Sequence, residues 1–408
     1  MEYPKLRQIN ALPVKVSGKN LICLQDPFKY SKKALFIPEP AFFIISLFDG
    51  HHSIRDIQTE YMRRYGELLY SEHIEKMIKE LDSHLFLDNK RFEDFKIGLE
   101  DEFKQTKIRK AHNVGFAYNQ DPKKLKEEIE NYLNSSQKSS KSFDISEEKQ
   151  IKGMIAPHID YRRGGQCYGT LYREINDRID AELFLIFGTA HLPTKTLFIL
   201  TRKSFETPLG IMETDCDFID KLEKNYSGNL YEDEFVHKTE HSIEFQVVFL
   251  QHLFNQKKKI KMVPILIGSF LQRELRNGNP SSLKEFSDFI EAIKSTIFQN
   301  NKKEFTIAAA DLSHVGPQFG DPYPVTPLIL QELKSEDLRM LNYLKDIKLD
   351  EFSKDIYKNN EKRHICGYSC IYTMLSTIDA TEGHLLQYEQ TTDPNTHSTV
   401  TFAAMLFS

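Results

Sequence analysis

The sequence lacks the features that direct a protein to a membrane, to nucleic acid or to an oxidising compartment. No apolar run approaches the ~18 residues that a membrane-spanning helix needs. The N-terminus has no basic stretch followed by an apolar run, so we expect no signal peptide. The net charge is −5 without any long block of like charges, which argues against nucleic-acid and anionic membrane partners. The five cysteines are scattered and odd in number, which favours free thiols in a cytoplasmic protein.

The chain is long enough, at 408 residues, for two or three domains, and its first hundred residues have the pattern of a small separate unit. Short strand-like runs precede three helical patterns, and the third of these, from Ser71 to Leu81, has one apolar face. Residues 1–100 are therefore predicted to form a winged-helix domain. DNA binding is disfavoured because residues 71–80 carry as many acids as bases and would be repelled by phosphates. A packing or dimerisation role remains an alternative to ligand binding.

A second and larger domain is predicted after a Ser/Lys-rich segment, residues 134–142, whose composition indicates an exposed loop. From Ile151 onward, strand-like and helix-like patterns alternate to the C-terminus. Such alternation is typical of an α/β domain with a largely parallel sheet flanked by helices.

Polar side chains follow three of these predicted strands at the point where each strand ends. The strand near 153–157 ends in His158, the strand at 183–188 leads to His191, and the strand at 305–310 leads to Asp311 and His314. Because the carboxyl ends of parallel strands meet at one edge of a sheet, these side chains could converge there.

Two further groups of polar residues lie at the starts of predicted helices. Glu240 and His241 precede the apolar helix that begins near residue 242, where glutamates complement the positive helix end but histidines have no such explanation. Cys366 precedes the helix at 367–378, a position that favours a thiolate and therefore metal or nucleophilic chemistry. Cys370 lies one turn further on, inside the apolar helix, and is predicted to belong to the core.

Taken together, these motifs resemble the Memo family, which is called AmmeMemoRadiSam system protein B in bacteria. The resemblance extends from about residue 107 to the C-terminus, so the second domain is assigned to residues 107–408. It is carried by the motifs Ala156-Pro157-His158, Gly188-Thr189-Ala190-His191, Thr207-Pro208-Leu209-Gly210, Glu240-His241-Ser242-Ile243-Glu244, Val263-Pro264-Ile265-Leu266-Ile267-Gly268, Asp311-Leu312-Ser313-His314 and Cys366-Gly367.

The family resemblance implies a fold similar to that of type III extradiol ring-cleaving dioxygenases, in which two histidines and a carboxylate hold iron. In Memo proteins a cysteine takes the place of the carboxylate. The resemblance therefore implies that His158, His191 and Cys366 are the metal ligands. It also implies that Asp311, His314, Glu240 and His241 line the site and transfer protons or orient substrate.

The first domain resembles a different family. Residues 20–88 resemble the PqqD-like modules, winged-helix domains that bind leader peptides in peptide-modifying systems. This resemblance implies a possible peptide ligand, and the Memo resemblance implies a radical-SAM enzyme and an AMMECR1-like protein as possible partners.

Several chemistries remain open for the predicted site. Two imidazoles and a thiolate suit iron, copper or zinc, and three protein ligands leave a position open for substrate. The leading hypothesis is a redox protein that uses iron or copper on an unknown substrate. A zinc-dependent hydrolase with His314 or Glu240 as base, a non-enzymatic metal-binding adaptor and a Cys–His nucleophilic hydrolase are the alternatives. Asp160 is a further carboxylate predicted to lie near the metal.

Overall fold

The computed structural model describes residues 1–31, 33–135, 149–254, 258–275 and 278–408, with the side chains of 359–361 left out. The predicted Ser/Lys-rich loop lies outside these residues from position 136 onward. The chain divides into two compact units, Met1–Gln105 and Thr106–Ser408.

The first unit combines a small antiparallel sheet with four helices. Its elements are the strands β1 (Asn10–Val16), β2 (Lys19–Gln25) and β3 (Leu35–Ile37) and the helices α1 (Glu39–Ser46), α2 (Ile54–Tyr65), α3 (Ser71–Ser83) and α4 (Lys90–Gln105). Ser53 caps α2 with a reciprocal side-chain bond to Asp56, and Gly66 ends this helix in the left-handed region. The buried residues of α3, Ile74, Ile78 and Leu81, follow the predicted helical spacing.

The second unit contains the elements of one large sheet and the helices that cover it. Its strands are β4 (Ile108–Arg109), β5 (Gly153–Ala156), β6 (Leu183–Thr189), β7 (Phe198–Leu200), β8 (Ser204–Thr207), β9 (Gly210–Thr214), β10 (Lys261–Ile267), β11 (Glu304–Ala309), β12 (His314–Val315), β13 (Gly383–Thr392) and β14 (Thr399–Phe407). Its helices are α5 (Pro122–Ser135), α6 (Tyr161–Asn176), α7 (Cys216–Asn225), α8 (Ser242–Phe254), α9 (Lys284–Phe298), α10 (Pro327–Lys345), α11 (Leu349–Arg363) and α12 (Tyr368–Thr377).

The centre of the large sheet is parallel. In the order β5-β11-β6-β10-β9, each neighbouring pair runs in the same direction. Antiparallel pairs extend this centre on both sides, β12 and β13 with β14 and β8 with β9. Parallel strands connected through helices place all their carboxyl ends at one edge, so this topology supplies a single edge for the polar segments.

Helices cover both faces of the sheet, which explains why its strands are almost uniformly apolar. Along β6, Phe184 and Ile186 pack in one hydrophobic cluster with α5, α6 and α8, whereas Leu183, Leu185 and Phe187 pack in the other with α7 and α9 to α12. Alternate residues of a strand point to opposite faces, so a strand that is buried on both faces is apolar at most of its positions.

The predicted fold class is confirmed, because a mostly parallel sheet flanked by helices follows a small unit with a three-stranded antiparallel sheet. The sequence patterns did not predict α10, α11 or β13. The helix α11 is strongly polar, and the residues of β13 are mostly half-buried, so neither has the clear apolar periodicity of the central elements. In the described part of the chain, no helix combines the length and apolarity needed to cross a bilayer.

Candidate metal centre

Three adjacent strands of the parallel centre bring the polar segments together. The residues Ala156 of β5, Ala309 of β11 and Gly188 of β6 lie in register across the sheet. His158, Asp311 and His191 therefore leave the same edge within two or three residues of that line. Pro157 ends β5 because it cannot donate a hydrogen bond to the ladder.

A histidine that immediately precedes α8, His241, lies beside the two that follow the strands. One ligand atom from each of His158, His191 and His241 lies within 4.8 Å of the other two. The ring centroid of His158 is 4.9 Å from that of His191 and 5.3 Å from that of His241. The rings of His191 and His241 stack with a centroid separation of 4.7 Å. These three imidazoles form the group that we call the histidine cluster.

Two rings of the histidine cluster have their Nδ1 atom hydrogen-bonded to an acceptor. His158 Nδ1 lies 2.9 Å from the carbonyl oxygen of Ala309, which can only accept, so this nitrogen carries the proton. His191 Nδ1 lies 3.0 and 3.1 Å from the two carboxylate oxygens of Glu240. The Nε2 atoms of His158 and His191 are then left with their lone pairs, which is the arrangement of metal-binding histidines in proteins. His241 Nδ1 lies 3.1 Å from Glu240 Oε1, within ion-pair distance.

Glu240 is the common acceptor of this cluster. Its carboxylate also accepts the backbone N–H groups of His191, His241 and Ser242, at 3.0, 2.8 and 3.0 Å. Burial acts to raise the pKa of Glu240, but the neighbouring imidazoles and these hydrogen bonds outweigh it and hold the pKa well below its usual range. Glu240 is therefore ionised, accepts from the ring of His191 and lies 3.1 Å from Nδ1 of His241.

A close approach of β6 to α8 makes the shared acceptor possible. A Cβ atom on Gly188 would lie 2.5 Å from the side chain of Ile243 and 2.7 Å from that of Ser242. Glycine at this position lets the start of α8 pack directly on the strand. His241 and Glu240, which immediately precede α8, are consequently held against the residues that follow β6.

The electrostatics of the site keep the imidazoles of His158 and His241 neutral. His158 is 1% exposed, and burial lowers its pKa to about 3. Desolvation also lowers the pKa of His241. Neutral imidazole is the form that binds a metal. The side chains of His191 and His241 are 35% and 30% exposed, so the cluster is open to solvent on their side.

Cys366 lies at the histidine cluster through its contact with His158. Its Sγ atom is 3.3 Å from His158 Nε2 and 3.7 Å from the backbone oxygen of Asp311. Burial raises the pKa of the thiol well above its usual value. The thiol therefore keeps its proton and shares it with the imidazole lone pair in the metal-free protein.

Asp311 and His314 lie beside the cluster and outside the group of three rings. Asp311 accepts the backbone N–H of His158 at 2.9 Å, and burial raises its pKa to about 6. His314 Nδ1 lies 3.1 Å from the carbonyl oxygen of Leu312, and burial lowers its pKa to about 4. The prediction that these residues transfer protons stays a prediction.

The structure assigns other roles to several residues near the motifs. Cys370 is fully buried and its Sγ lies 3.3 Å from Thr189 Oγ1, which agrees with a place in the core. Asp160 accepts from Arg163 Nε at 2.6 Å, so its carboxylate forms an ion pair with this arginine. His237 is buried with its Nε2 3.0 Å from the carbonyl oxygen of Ile199.

A buried ion pair behind α8 was not predicted from the sequence. Arg109 and Glu244 are both fully buried and form a salt bridge. Glu244 also accepts from Tyr118 Oη at 2.6 Å and from the backbone of Asn113 at 2.9 Å. Glu244 follows Glu240 by four residues. The sequence alone therefore gave no reason to expect that one glutamate lies in the site and the other forms a buried ion pair. The pair therefore links Arg109, the last residue of β4, to Glu244 of α8.

The donors at this edge of the sheet fit a transition metal. Imidazole nitrogen and thiol sulfur are ligands for iron, copper and zinc and are unsuited to magnesium or calcium. The protein is therefore an α/β protein with a histidine-rich, metal-compatible site at the carboxyl edge of a parallel sheet.

The comparison with known families agrees with this description. Residues 109–406 match the family described as Memo-like protein. The chain belongs to the Memo-like family, as the sequence motifs predicted.

Similar proteins occur in bacteria and archaea. The chain is 28% identical to a MEMO1 family protein of Aquifex aeolicus (strain VF5) over 407 residues, 99% of each chain. It is 29% identical to a MEMO1 family protein of Methanococcoides burtonii over 231 residues, 56% of this chain and 74% of that one. A Thermus thermophilus member is 24% identical over 293 residues, 72% of this chain and 80% of the other. The similarity to the Aquifex aeolicus protein includes the first unit as well as the second.

Proposed function

We propose that this protein is a metal-dependent redox protein that holds iron or copper at the carboxyl edge of its large sheet. The observation that carries the proposal is the state of two imidazoles in a group of three. The Nδ1–H groups of His158 and His191 donate to the carbonyl oxygen of Ala309 and to the carboxylate of Glu240, so each of these two rings presents an Nε2 lone pair. The ring of His241 lies beside them, with its Nδ1 atom 3.1 Å from Glu240 Oε1. A histidine cluster that served only to stabilise the fold would not need two such lone pairs near one point.

We propose His158, His191 and Cys366 as the ligands, with His241 beside them. Two ligand atoms bound to one ion by bonds of about 2.1 and 2.3 Å would lie roughly 3.6 Å apart at an angle of about 109° and roughly 3.3 Å apart at about 97°. The distance of 3.3 Å between Cys366 Sγ and His158 Nε2 is at the lower end of that range. Cys366 and His158 would have to lose the proton they share in order to hold a metal together.

The remaining polar residues have roles that follow from their contacts. Glu240 orients His191 and, because its oxygens are already occupied by donors, does not serve as a proton acceptor for substrate. His241 is partly exposed and His314 is half-buried, so both can exchange protons with a substrate. Asp311, with a pKa of about 6, is the group that can hold or release a proton near neutral pH.

Iron or copper supplies the electron-transfer chemistry that the imidazoles and thiol cannot. A zinc-dependent hydrolase is the second candidate, with the half-buried imidazole of His314, which is neutral and so able to accept a proton, as the base. A non-enzymatic metal-binding adaptor is the third.

The metal content of untagged protein purified without air tests the proposal. Iron or copper near one equivalent supports the redox function, one equivalent of zinc supports the hydrolase, and no bound metal contradicts both. Cobalt(II) titration adds a spectroscopic readout, because a thiolate ligand produces a charge-transfer band. Cys366→Ser should abolish that band and Cys216→Ser, at the start of α7, should retain it.

The same titration distinguishes Cys366 from His241 as the third ligand. His241→Ala should keep the charge-transfer band and lose metal affinity by the ~10–100-fold that is typical of residues next to a metal site. If His241→Ala loses the metal as completely as His158→Ala, then His241 is a ligand. The same comparison applied to His314→Ala tests whether His314 is a ligand: the variant should retain the metal, while any activity or substrate binding falls.

We further propose that the protein acts in the cytoplasm with a radical-SAM enzyme and an AMMECR1-like protein, and that its first unit is a PqqD-like peptide-binding module. The family assignment and the separate compactness of residues 1–105 support this proposal. Binding of the purified partners to the full chain and to residues 106–408 tests it. Equal affinity for both forms would remove the first unit from partner binding.

A further inference from the structure

We infer that Asp337, a buried residue of α10, is a positioning residue that holds the segment carrying Cys366 against the loop carrying Asp311 and His314. Asp337 is 0% exposed and does not belong to the site motifs. The inference rests on the proposed function only in that it assigns Cys366 to the metal.

Four donors from four different segments converge on the Asp337 carboxylate. Ser313 Oγ and Arg363 Nη1 donate to Oδ1, at 2.6 and 3.1 Å. Thr401 Oγ1 and Tyr388 Oη donate to Oδ2, at 2.6 and 2.9 Å. A carboxylate that satisfies four buried donors couples their segments, because each donor left without an acceptor destabilises its own segment.

Two of these donors belong to the segments that carry the site. Ser313 lies between Asp311 and His314, and its backbone exchanges hydrogen bonds with Thr401 of β14. Arg363 is the last residue of α11, three positions before Cys366, and is 1% exposed. Asp337 Oδ1 therefore accepts one hydrogen bond from the loop that carries Asp311 and His314 and another from the segment that carries Cys366.

The backbone at Cys366 has a second attachment that makes its position sensitive to this carboxylate. Gly367 N donates to the backbone oxygen of Asp311 at 3.1 Å. A Cβ atom on Gly367 would lie 2.3 Å from that oxygen, so the two backbones are as close as glycine allows. His364, between Arg363 and Cys366, has a φ of 45° in the left-handed region. This turn is strained for a histidine and needs both of its ends to be held.

Loss of the Asp337 charge should therefore loosen Cys366 before it unfolds the protein. The test is Asp337→Asn, with the rate at which iodoacetamide alkylates Cys366 in the metal-free full chain measured by peptide mass spectrometry. Cys216 in the same sample is the internal reference. The matched control is Asp26→Asn, since Asp26 is also a buried aspartate paired with a buried arginine, Arg7, but lies in the first unit.

We expect Asp337→Asn to raise the ratio of Cys366 to Cys216 alkylation by about tenfold, because local opening becomes more frequent when a buried bond is lost. Asp26→Asn should leave the ratio within about twofold of the wild type. An unchanged ratio in a folded Asp337→Asn protein overturns the inference. So does an equal increase in both variants, which would indicate general destabilisation.

A milder pair keeps the inference testable if Asp337→Asn does not fold. Ser313→Ala removes the donor from the site loop, and Tyr388→Phe removes the donor from β13. Ser313→Ala should raise the alkylation ratio several-fold more than Tyr388→Phe, and equal effects overturn the inference.

Metal affinity is the second readout, and Asp337→Asn should lower it about tenfold or more. Absence of metal from the wild type would contradict the proposed function while the alkylation ratio still decides the role of Asp337.

Discussion

Replacement of Glu240 by glutamine tests how the histidine cluster is built. Glutamine keeps the shape of the side chain, removes its charge and puts an amide NH2 group in the place of one carboxylate oxygen. Within the described residues, the Glu240 carboxylate accepts hydrogen bonds from the backbone N–H groups of His191, His241 and Ser242 and from Nδ1 of His191. The amide NH2 group therefore meets a donor in either orientation of the glutamine.

The size of the effect follows from which donors lose their acceptor. With the amide nitrogen at the Oε2 position, the backbone N–H of His191 is unpaired, whereas its Nδ1–H, which also lies 3.1 Å from Oε1, keeps an acceptor. With it at the Oε1 position, the backbone N–H groups of His241 and Ser242 are unpaired. Each unsatisfied buried donor costs about 1–3 kcal/mol, and the glutamine adopts the orientation that leaves fewer of them, so Glu240→Gln should lower the free energy of unfolding by ~1–3 kcal/mol.

Metal affinity should fall together with stability. A glutamine NH2 group opposite Nδ1 favours the imidazole tautomer that carries its proton on Nε2, and this tautomer has no lone pair for the metal. We expect a ~10–100-fold weaker affinity for cobalt(II), measured by spectroscopic titration, with stability measured by urea unfolding of the metal-free protein. Glu206→Gln, on the exposed face of β8, is the control and should change stability by no more than ~0.5 kcal/mol. Wild-type stability and affinity in Glu240→Gln would refute the shared role of this carboxylate.

Three further predictions concern the rest of the chain. Arg109→Ala should lower the free energy of unfolding by about 3–5 kcal/mol because it leaves the buried Glu244 charge without its partner; urea unfolding measures this, and a loss below ~1 kcal/mol would contradict it. The metal-free protein should lose stability as the pH falls from about 6.5 toward 4. Histidines of the unfolded chain take up protons in this range, whereas in the folded protein burial lowers the pKa of His158 and His237 to about 3 and keeps them neutral. Urea unfolding at a series of pH values measures this, and constant stability across the range would contradict it. Residues 106–408 alone should bind metal with the affinity of the full chain, because the candidate ligands lie within this unit; loss of metal from the folded truncation would show that the first unit contributes to the site.

The central strands and the motifs at their ends could be predicted from local pattern. Apolar runs of strand length ended at Pro157, before His191 and before Asp311, and the structure ends β5, β6 and β11 at or next to those positions. Polar elements such as α11 and β13 were missed because their burial is partial and gives no clear period. The predicted ligands and proton-transfer residues lie at the same edge, but the choice of ligands stays a prediction.

By itself, the sequence determined the class of fold, the family and the segments whose polar residues meet at the edge of the sheet, because each of these depends on local patterns along the chain. Only the tertiary structure decided the contacts that those residues make. It brought His241 next to His158 and His191, made Glu240 the acceptor of the His191 ring and of three backbone N–H groups, and placed Asp337 behind the segment of Cys366. A hydrogen bond depends on an acceptor coming within about 3 Å of a donor. That distance is set by the order of the strands and the packing of helices on them, so residues far apart in the chain acquire their partners only when the sheet is complete.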